Sequence, residues 1–101
     1  MKIQYITAAD DLQQCLQYLA QQQVIAFDLE FDKNNDAYGF NLCLIQIAAG
    51  TECYLIDPMV GLDVTPVFRL LEDPAILKVV HSPGEDLRLL HSLKSYPKNL
   101  F

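Results

Sequence analysis

The chain has 101 residues, 51% of them hydrophobic, and its 7 Lys or Arg against 13 Asp or Glu leave a net charge of −6. That length holds one core and one domain at most, the hydrophobic content excludes a disordered chain, and the acidic balance argues against broad electrostatic binding to duplex DNA. No apolar run approaches the ~18 residues of a membrane span, and the start Met1-Lys2-Ile3-Gln4 lacks the pattern of a signal peptide, so no membrane partner and a cytoplasmic location are expected.

A short β-like start at residues 3–6 leads to Thr7, which reads as a helix N-cap with Asp10 three residues on. Leu12, Cys15, Leu16 and Leu19 then keep the spacing of one apolar helical stripe, with Gln13, Gln14, Gln17 and Gln21 on the other side. Three β-rich runs follow at residues 24–31, 42–49 and 53–56, joined by a polar link at 32–39 and a turn around Gly50, and they predict an antiparallel meander. Thr65 as N-cap and Pro66 at the first helical position predict a short helix that stops before Pro74. The strand predicted at 76–80 follows this crossover helix and is therefore expected parallel to the first central strand. Ser82, Pro83 and Glu85 form a capping-box start for a last helix to about Leu93, and a further extended segment begins beyond Tyr96 and Pro97.

The strand at 24–31 ends in Asp28, Leu29 and Glu30. Residues two apart in a strand share a face, with Cα atoms roughly 6.5 to 7 Å apart, so the two carboxylates stand side by side. No Lys or Arg lies in that run, and an unpaired carboxylate removed from water shifts its pKa or finds a metal or a partner. The bare Asp-x-Glu pattern is weak, because nine Asp and four Glu in this chain give roughly 0.4 occurrences by composition alone, and a strand that merely surfaces at its end explains it equally well. Asp86 adds a third carboxylate. With Leu89, Leu90 and Leu93 it falls on one helical stripe, which points it inward near the end of a parallel strand, where α/β sites form; the bland alternative is an acid stabilised by the helix N-terminus.

Other polar residues have simpler explanations. Cys15, Cys43 and Cys53 are odd in number, lack Cys-x-x-Cys spacing and read as small core residues, so neither a disulfide framework nor a zinc site is expected. Gln46 reads as a polar residue that satisfies a backbone group, Asp57 before Pro58 as a strand-ending turn, and His91 as a surface residue. Tyr38 and Cys43 read as packing groups.

The joint pattern of Phe27-Asp28-Leu29-Glu30-Phe31, Leu42-Cys43-Leu44-Ile45-Gln46-Ile47, Leu55-Ile56-Asp57-Pro58 and His81-Ser82-Pro83-Gly84-Glu85-Asp86-Leu87 resembles, in order and spacing, the first half of a ribonuclease D-like exonuclease domain of the DEDD superfamily. The resemblance implies an α/β, ribonuclease H-like mixed sheet, a three-strand antiparallel meander plus a parallel strand with flanking helices, incomplete at its C-terminus, with residues 1–101 a partial 3′-5′ exonuclease domain. It implies hydrolysis of phosphodiester bonds at the single-stranded 3′ end of RNA or DNA, with two divalent cations, Mg²⁺ or Mn²⁺, held by Asp28, Glu30 and Asp86. Asp28 would bridge the cations, Glu30 would hold the one bearing the nucleophilic water, and Asp86 would hold the other. Leu29, Phe31 and His81 are the candidates to touch substrate, although alternate strand residues such as Leu29 and Phe31 are more often core and a lone His such as His81 is more often a capping or surface residue.

One departure stands out. The family's fourth acid lies in a Tyr/His-x-x-x-Asp motif, and here Tyr96 is followed by Leu100 at that spacing. This chain alone is therefore expected to be inactive, and a non-catalytic module binding nucleic acid or a protein is the alternative. An unpaired edge on the strand at 76–80 would also favour a homodimer.

Overall fold

The computed structural model describes residues 1–33, 40–80, 88 and 90–101, the side chains of residues 32, 33, 40 and 41 excepted. Five strands form one mixed sheet: β1 (Lys2–Ile6), β2 (Val24–Lys33), β3 (Phe40–Ala49), β4 (Glu52–Ile56) and β5 (Leu77–Val80), in the order β1-β4-β3-β2-β5. The meander is as expected, β2 antiparallel to β3 and β3 to β4, and β5 lies parallel to β2. β1 closes the far edge, parallel to β4. Two helices, α1 (Ala9–Leu19) and α2 (Thr65–Leu71), supply the crossovers.

Alternation along the strands sorts the sheet into two unlike faces. Ile25, Phe27 and Leu29 of β2, Ile45 and Ile47 of β3, Tyr54 and Ile56 of β4 and Ile6 of β1 are buried in one cluster with Leu12, Cys15 and Leu19 of α1 and Val67, Leu70 and Leu71 of α2. The opposite face carries Ala26, Asp28 and Glu30 of β2, and its residues Ile3, Tyr5 and Val79 remain exposed. Among the described residues no helix packs on that face.

The helix starts differ from the sequence reading. Ala8, not Thr7, occupies the N-cap of α1, with no side-chain cap bond, and Val64 occupies that of α2. At α2 the work of a cap falls to Asp63, whose carboxylate accepts from the Thr65 N–H at 3.0 Å. The Thr65 hydroxyl and then its backbone N–H hold Asp63 below the usual carboxylate range. Asp57 makes the turn expected of it, accepting from Met59 N–H at 2.8 Å at the head of a short 3₁₀ turn, Pro58–Val60.

Residues 88 and 90–92 are helical, and Leu90 is fully buried in the core. Leu93, expected on the inward stripe, is 42% exposed, because the helix has already ended. Lys94 takes a left-handed conformation (φ 62), and its N–H reaches His91 O while Ser95 N–H reaches Leu90 O, the paired bonds of a Schellman motif. The turn carries Ser95 inward in place of Leu93.

The edge of β5 also differs from expectation. Lys78 N–H donates to Asn99 O at 2.9 Å and Phe101 N–H donates to Lys78 O at 2.8 Å, so a parallel bridge between Lys78 and Leu100 covers the edge that was expected to be unpaired. The Lys78 side chain is itself buried, its Nζ donating to Asp73 O. Burial pushes its pKa down, partly offset by the Asp73 charge.

All three cysteines are thiols, as expected, yet only Cys15 belongs to the core; Cys43 and Cys53 are half-buried. Cys53 pairs with Ala48 and Ile3, on the uncovered face.

Candidate active site on the uncovered sheet face

Asp28 and Glu30 project from that face, Asp28 half-buried and Glu30 exposed. The apolar partners of the same strand point the other way into the core, which is why a run as hydrophobic as Val24 to Leu29 can carry two carboxylates without burying either fully. Asp28 Oδ1 accepts from the Leu29 N–H at 3.0 Å, which fixes the orientation of the carboxylate. Among the described residues the one recorded ion pair joins Arg69 to Glu72, so neither acid of the pair is neutralised by a described cation.

Across the β2–β3 ladder Asp28 pairs with Gln46 and Glu30 with Leu44. The register then slips between Glu30 and Phe31, the latter pairing with Leu42, which leaves Cys43 as an extra residue in β3. This bulge reverses the phase of β3 so that Phe31 and Leu42 both turn to the core, while Leu44 stays with Glu30. Beside Asp28 lies a shallow depression of about 200 Å³, lined by Ala26, Asp28, Gln46, Ala48, Cys53 and Val79.

The third acid is approached but not reached. Val80, the last residue of β5, stands level with Phe27, so the chain leaves β5 beside Asp28. Asp86, His81 and Tyr38 lie outside the described residues. Leu29 is 6% exposed and its side chain packs in the core, the alternative weighed from sequence, and Phe31 is half-buried against that core. His91 is exposed and packs on Tyr96, ring centroids 5.1 Å apart.

The sequence reading gave Gln46 a backbone group to satisfy. It makes none of the backbone bonds expected of it among the described residues, and its lining of the depression follows from the register opposite Asp28. Parity along the strand, four residues before the Gly50 turn, is the signal that could have found it.

Among the described residues no three His, Cys, Asp or Glu side chains gather as a metal site. Two carboxylates side by side, accessible and without a cationic partner among the described residues, do present the hard oxygen donors that Mg²⁺ or Mn²⁺ prefers.

Residues 3–101 match the 3′-5′ exonuclease family. Ribonuclease D of Zymomonas mobilis is 45% identical over 86 residues, 82% of this chain and 22% of that protein. Ribonuclease D of Escherichia coli, described as an exoribonuclease involved in structured RNA processing, superposes with a TM-score of 0.87 at 34% identity, over 100% of this chain and 27% of that one. The Trypanosoma brucei RNase D solved in complex with RNA U12 shares the fold, with a TM-score of 0.83 at 21% identity over 98% of this chain and 36% of that one. The chain spans about a quarter of the length of the curated relatives it matches. By sequence and by fold, it belongs to the 3′-5′ exonuclease family and is ribonuclease D-like.

Proposed function

We propose that residues 1–101 are the part of a 3′-5′ exonuclease domain that contributes Asp28, Glu30 and Asp86 to hydrolysis of the 3′-terminal phosphodiester of a single-stranded RNA or DNA. The observation that supports this most is the pair of carboxylates on the uncovered face of β2, level with the end of the strand that leads to Asp86. Relatives named ribonuclease D favour RNA as the substrate class.

Asp28 and Glu30 would hold one divalent cation from β2, with Asp86 completing the donor set for a second. Cations bound there supply a polarised water and stabilise charge on the leaving 3′ oxygen. The chain's own contributions are positional. The Leu29 N–H fixes Asp28, the core holds β2 rigid beneath both acids, and the bulge at Cys43 sets where Glu30 ends and Phe31 turns away. Leu29 and Phe31 both turn to the core, on the face opposite the two carboxylates, so packing is the role proposed for them in place of the contact with a terminal base. His81 is retained as a substrate contact on the strength of its place just after β5.

The chain's net charge of −6 makes bound cations all the more necessary for approach of a polyanion. With no Asp four residues after Tyr96, this polypeptide by itself is proposed to be without turnover, and a non-catalytic binding role is the second reading that this departure favours. The proposed location is cytoplasmic; among the described residues no helix is long and apolar enough to cross a membrane. The homodimer through β5 is the least supported part of the sequence reading, given that the bridge to Leu100 occupies that edge.

Millimolar MnCl₂ tests the site. It should raise the melting temperature of the chain by mass action, and Asp28→Asn should remove the rise. An equal response from both proteins would defeat the metal assignment.

A further inference from the structure

The charges of this chain are unevenly divided. All 13 Asp and Glu lie before residue 88, whereas residues 88–101 hold Arg88, Lys94 and Lys98 and no acid. In a chain of net charge −6 one stretch thus carries the opposite sign, and an asymmetry of this kind marks a contact for a charged partner.

The fold gathers that stretch on one surface with a fourth cation. Arg88 and His91, both exposed, stand three residues apart on a helix and are therefore neighbours on its surface. The His91 ring packs on that of Tyr96, which is itself exposed. Tyr96 N–H donates to one Glu72 oxygen at 2.9 Å, and the other takes Arg69, an exposed cation of α2. Lys98 N–H donates to Leu71 O, one residue before Glu72. The Tyr96 N–H foremost, then Arg69 and Lys98, hold Glu72 below its usual range against the opposing effect of burial. Asp73, the next acid, is likewise engaged, accepting from Ala75 N–H at 2.9 Å.

This surface lies apart from the carboxylates of β2. Lys78, whose backbone joins Asn99 and Phe101, pairs with Ile25, three residues before Asp28, which puts the last residues about 10 Å down the strands from Asp28. Exposed cations beside a fixed aromatic ring suit a single strand of nucleic acid, since Lys and Arg neutralise phosphates and a ring takes a base by stacking. Tyr96 is held both through its own N–H and by His91, so little freedom is lost when a base stacks on it. An acidic protein would use the cations and leave that ring without a role.

Resting on the reading of this chain as part of an exonuclease domain that takes RNA, we propose that Arg69, Arg88, Lys94 and Lys98 bind the phosphate backbone of a single-stranded RNA upstream of its 3′ end, with the Tyr96 ring stacking on a base.

The test is fluorescence anisotropy of a labelled oligouridylate titrated with the 101-residue chain, without divalent metal, over a series of salt concentrations. The parent should bind, with an affinity that falls as salt rises. Lys94→Gln combined with Lys98→Gln should weaken binding more than about 10-fold at low salt and flatten the log–log salt slope by about 1.4. Tyr96→Leu should weaken binding about 10-fold and leave the slope unchanged. Lys2→Gln, on the far edge strand, and Asp28→Asn should leave affinity and slope as they are. Should the double variant not fold, Arg88→Gln takes its place with a slope change of about 0.7. A parent that does not bind, an equal loss from Lys2→Gln, or a loss from Asp28→Asn overturns this surface. So does displacement of the oligouridylate as effectively by poly-L-glutamate, a polyanion without bases, and a Tyr96→Leu variant that binds like the parent overturns the stacking. In each of these cases the metal reading of Asp28, which has its own MnCl₂ test, stands. If that test fails and oligouridylate still binds, the metal reading falls while this surface remains a nucleic-acid contact.

Discussion

The Tyr18 hydroxyl occupies the space that a side chain on Gly50 would need: it donates to Ala49 O at 3.3 Å, and a Cβ built on Gly50 would lie 2.5 Å from it. Gly50 also has φ +58 and is the first central residue of the two-residue loop between Ala49 and Glu52, the position that a type II′ hairpin turn reserves for glycine. Gly50→Ala should therefore destabilise the chain by about 2 kcal/mol in urea denaturation. Because the hydroxyl is the far end of a movable side chain, the backbone strain should outweigh the clash. In a Tyr18→Phe background the penalty should shrink but keep about 1 kcal/mol. Full rescue by Tyr18→Phe would show that the clash, not φ, fixes the glycine.

The part of the fold that was legible in sequence is the part set by periodicity and short links. The alternation through Ile25, Phe27 and Leu29, the polar joints of the meander and the helix before β5 gave strand directions that the structure bears out. Of the stripe Leu12, Cys15, Leu16 and Leu19, Leu16 is half-buried and the other three are buried as read. The remainder depends on groups far apart in the chain or on a single residue of register. The parallel pairing of β1 with β4 joins segments some fifty residues apart, and no local pattern announces it. The bulge at Cys43 is one residue in an otherwise smooth apolar run, yet it decides which face Leu42 and Leu44 take. Leu93 kept helical spacing and was still exposed, because a left-handed residue one position later ends the helix. That Asp28 and Glu30 share one face of β2 was legible from parity alone, whereas the place of Gln46 beside Asp28 needed the cross-strand register.

That helix end yields a second expectation. Lys94 holds the left-handed C′ position that glycine favours in a Schellman turn, and a residue with a Cβ is strained there. Lys94→Gly should raise stability by about 0.5 to 1 kcal/mol despite the greater freedom it gives the unfolded chain. Lys94→Ala, which removes the charge and the long side chain but keeps the strain, should give no such gain. Thermal melts of the two variants separate backbone from side chain, and equal stabilisation by both would refute the strain.

Alkaline pH should unfold the protein through its core thiol and phenol. Burial pushes Cys15 from its ordinary 9.0 up to about 12, and burial, with smaller contributions from Cys15, Glu52 and Tyr18, pushes Tyr54 from 10.0 to about 12. Between those values only the unfolded chain is ionised and it binds fewer protons than the folded one, so stability is full below pH 9 and falls as pH rises toward 12. Each group contributes a slope of about 1.4 kcal/mol per pH unit in its window. Lys78 acts in the opposite sense: its lowered pKa means that the unfolded chain binds the extra proton, and stability gains as pH rises through the window below the ordinary lysine value. Above the ordinary lysine value of 10.5 the Lys78 gain is complete, so the loss is unopposed as the pH rises further. Cys15→Ala should make the decline between pH 9 and 11 shallower in denaturant titrations, and an unaltered decline would mean that the thiol titrates normally.

The last residues of the chain serve the edge of the sheet. Lys98 N–H donates to Leu71 O at 3.1 Å, the Asn99 side-chain amide to Pro74 O at 3.1 Å, and Asn99 O and Phe101 N–H take the outward backbone groups of Lys78 at 2.9 and 2.8 Å. Asn99 holds φ 56 to do so, a conformation that asparagine tolerates better than most residues. Removing residues 98–101 should cost roughly 2 to 4 kcal/mol at about 1 kcal/mol for each lost bond. It should also bare the N–H and C=O of Lys78 on an edge strand flanked by the exposed Val79, which is a template for pairing with a second chain. Sedimentation of the two proteins over a range of concentrations decides the matter. The shortened chain should self-associate where the 101-residue chain stays monomeric. A dimer formed equally by both would mean that copies meet through some other surface, and a shortened chain that stays monomeric would mean that the bridge at Leu100 is not what keeps this edge from pairing.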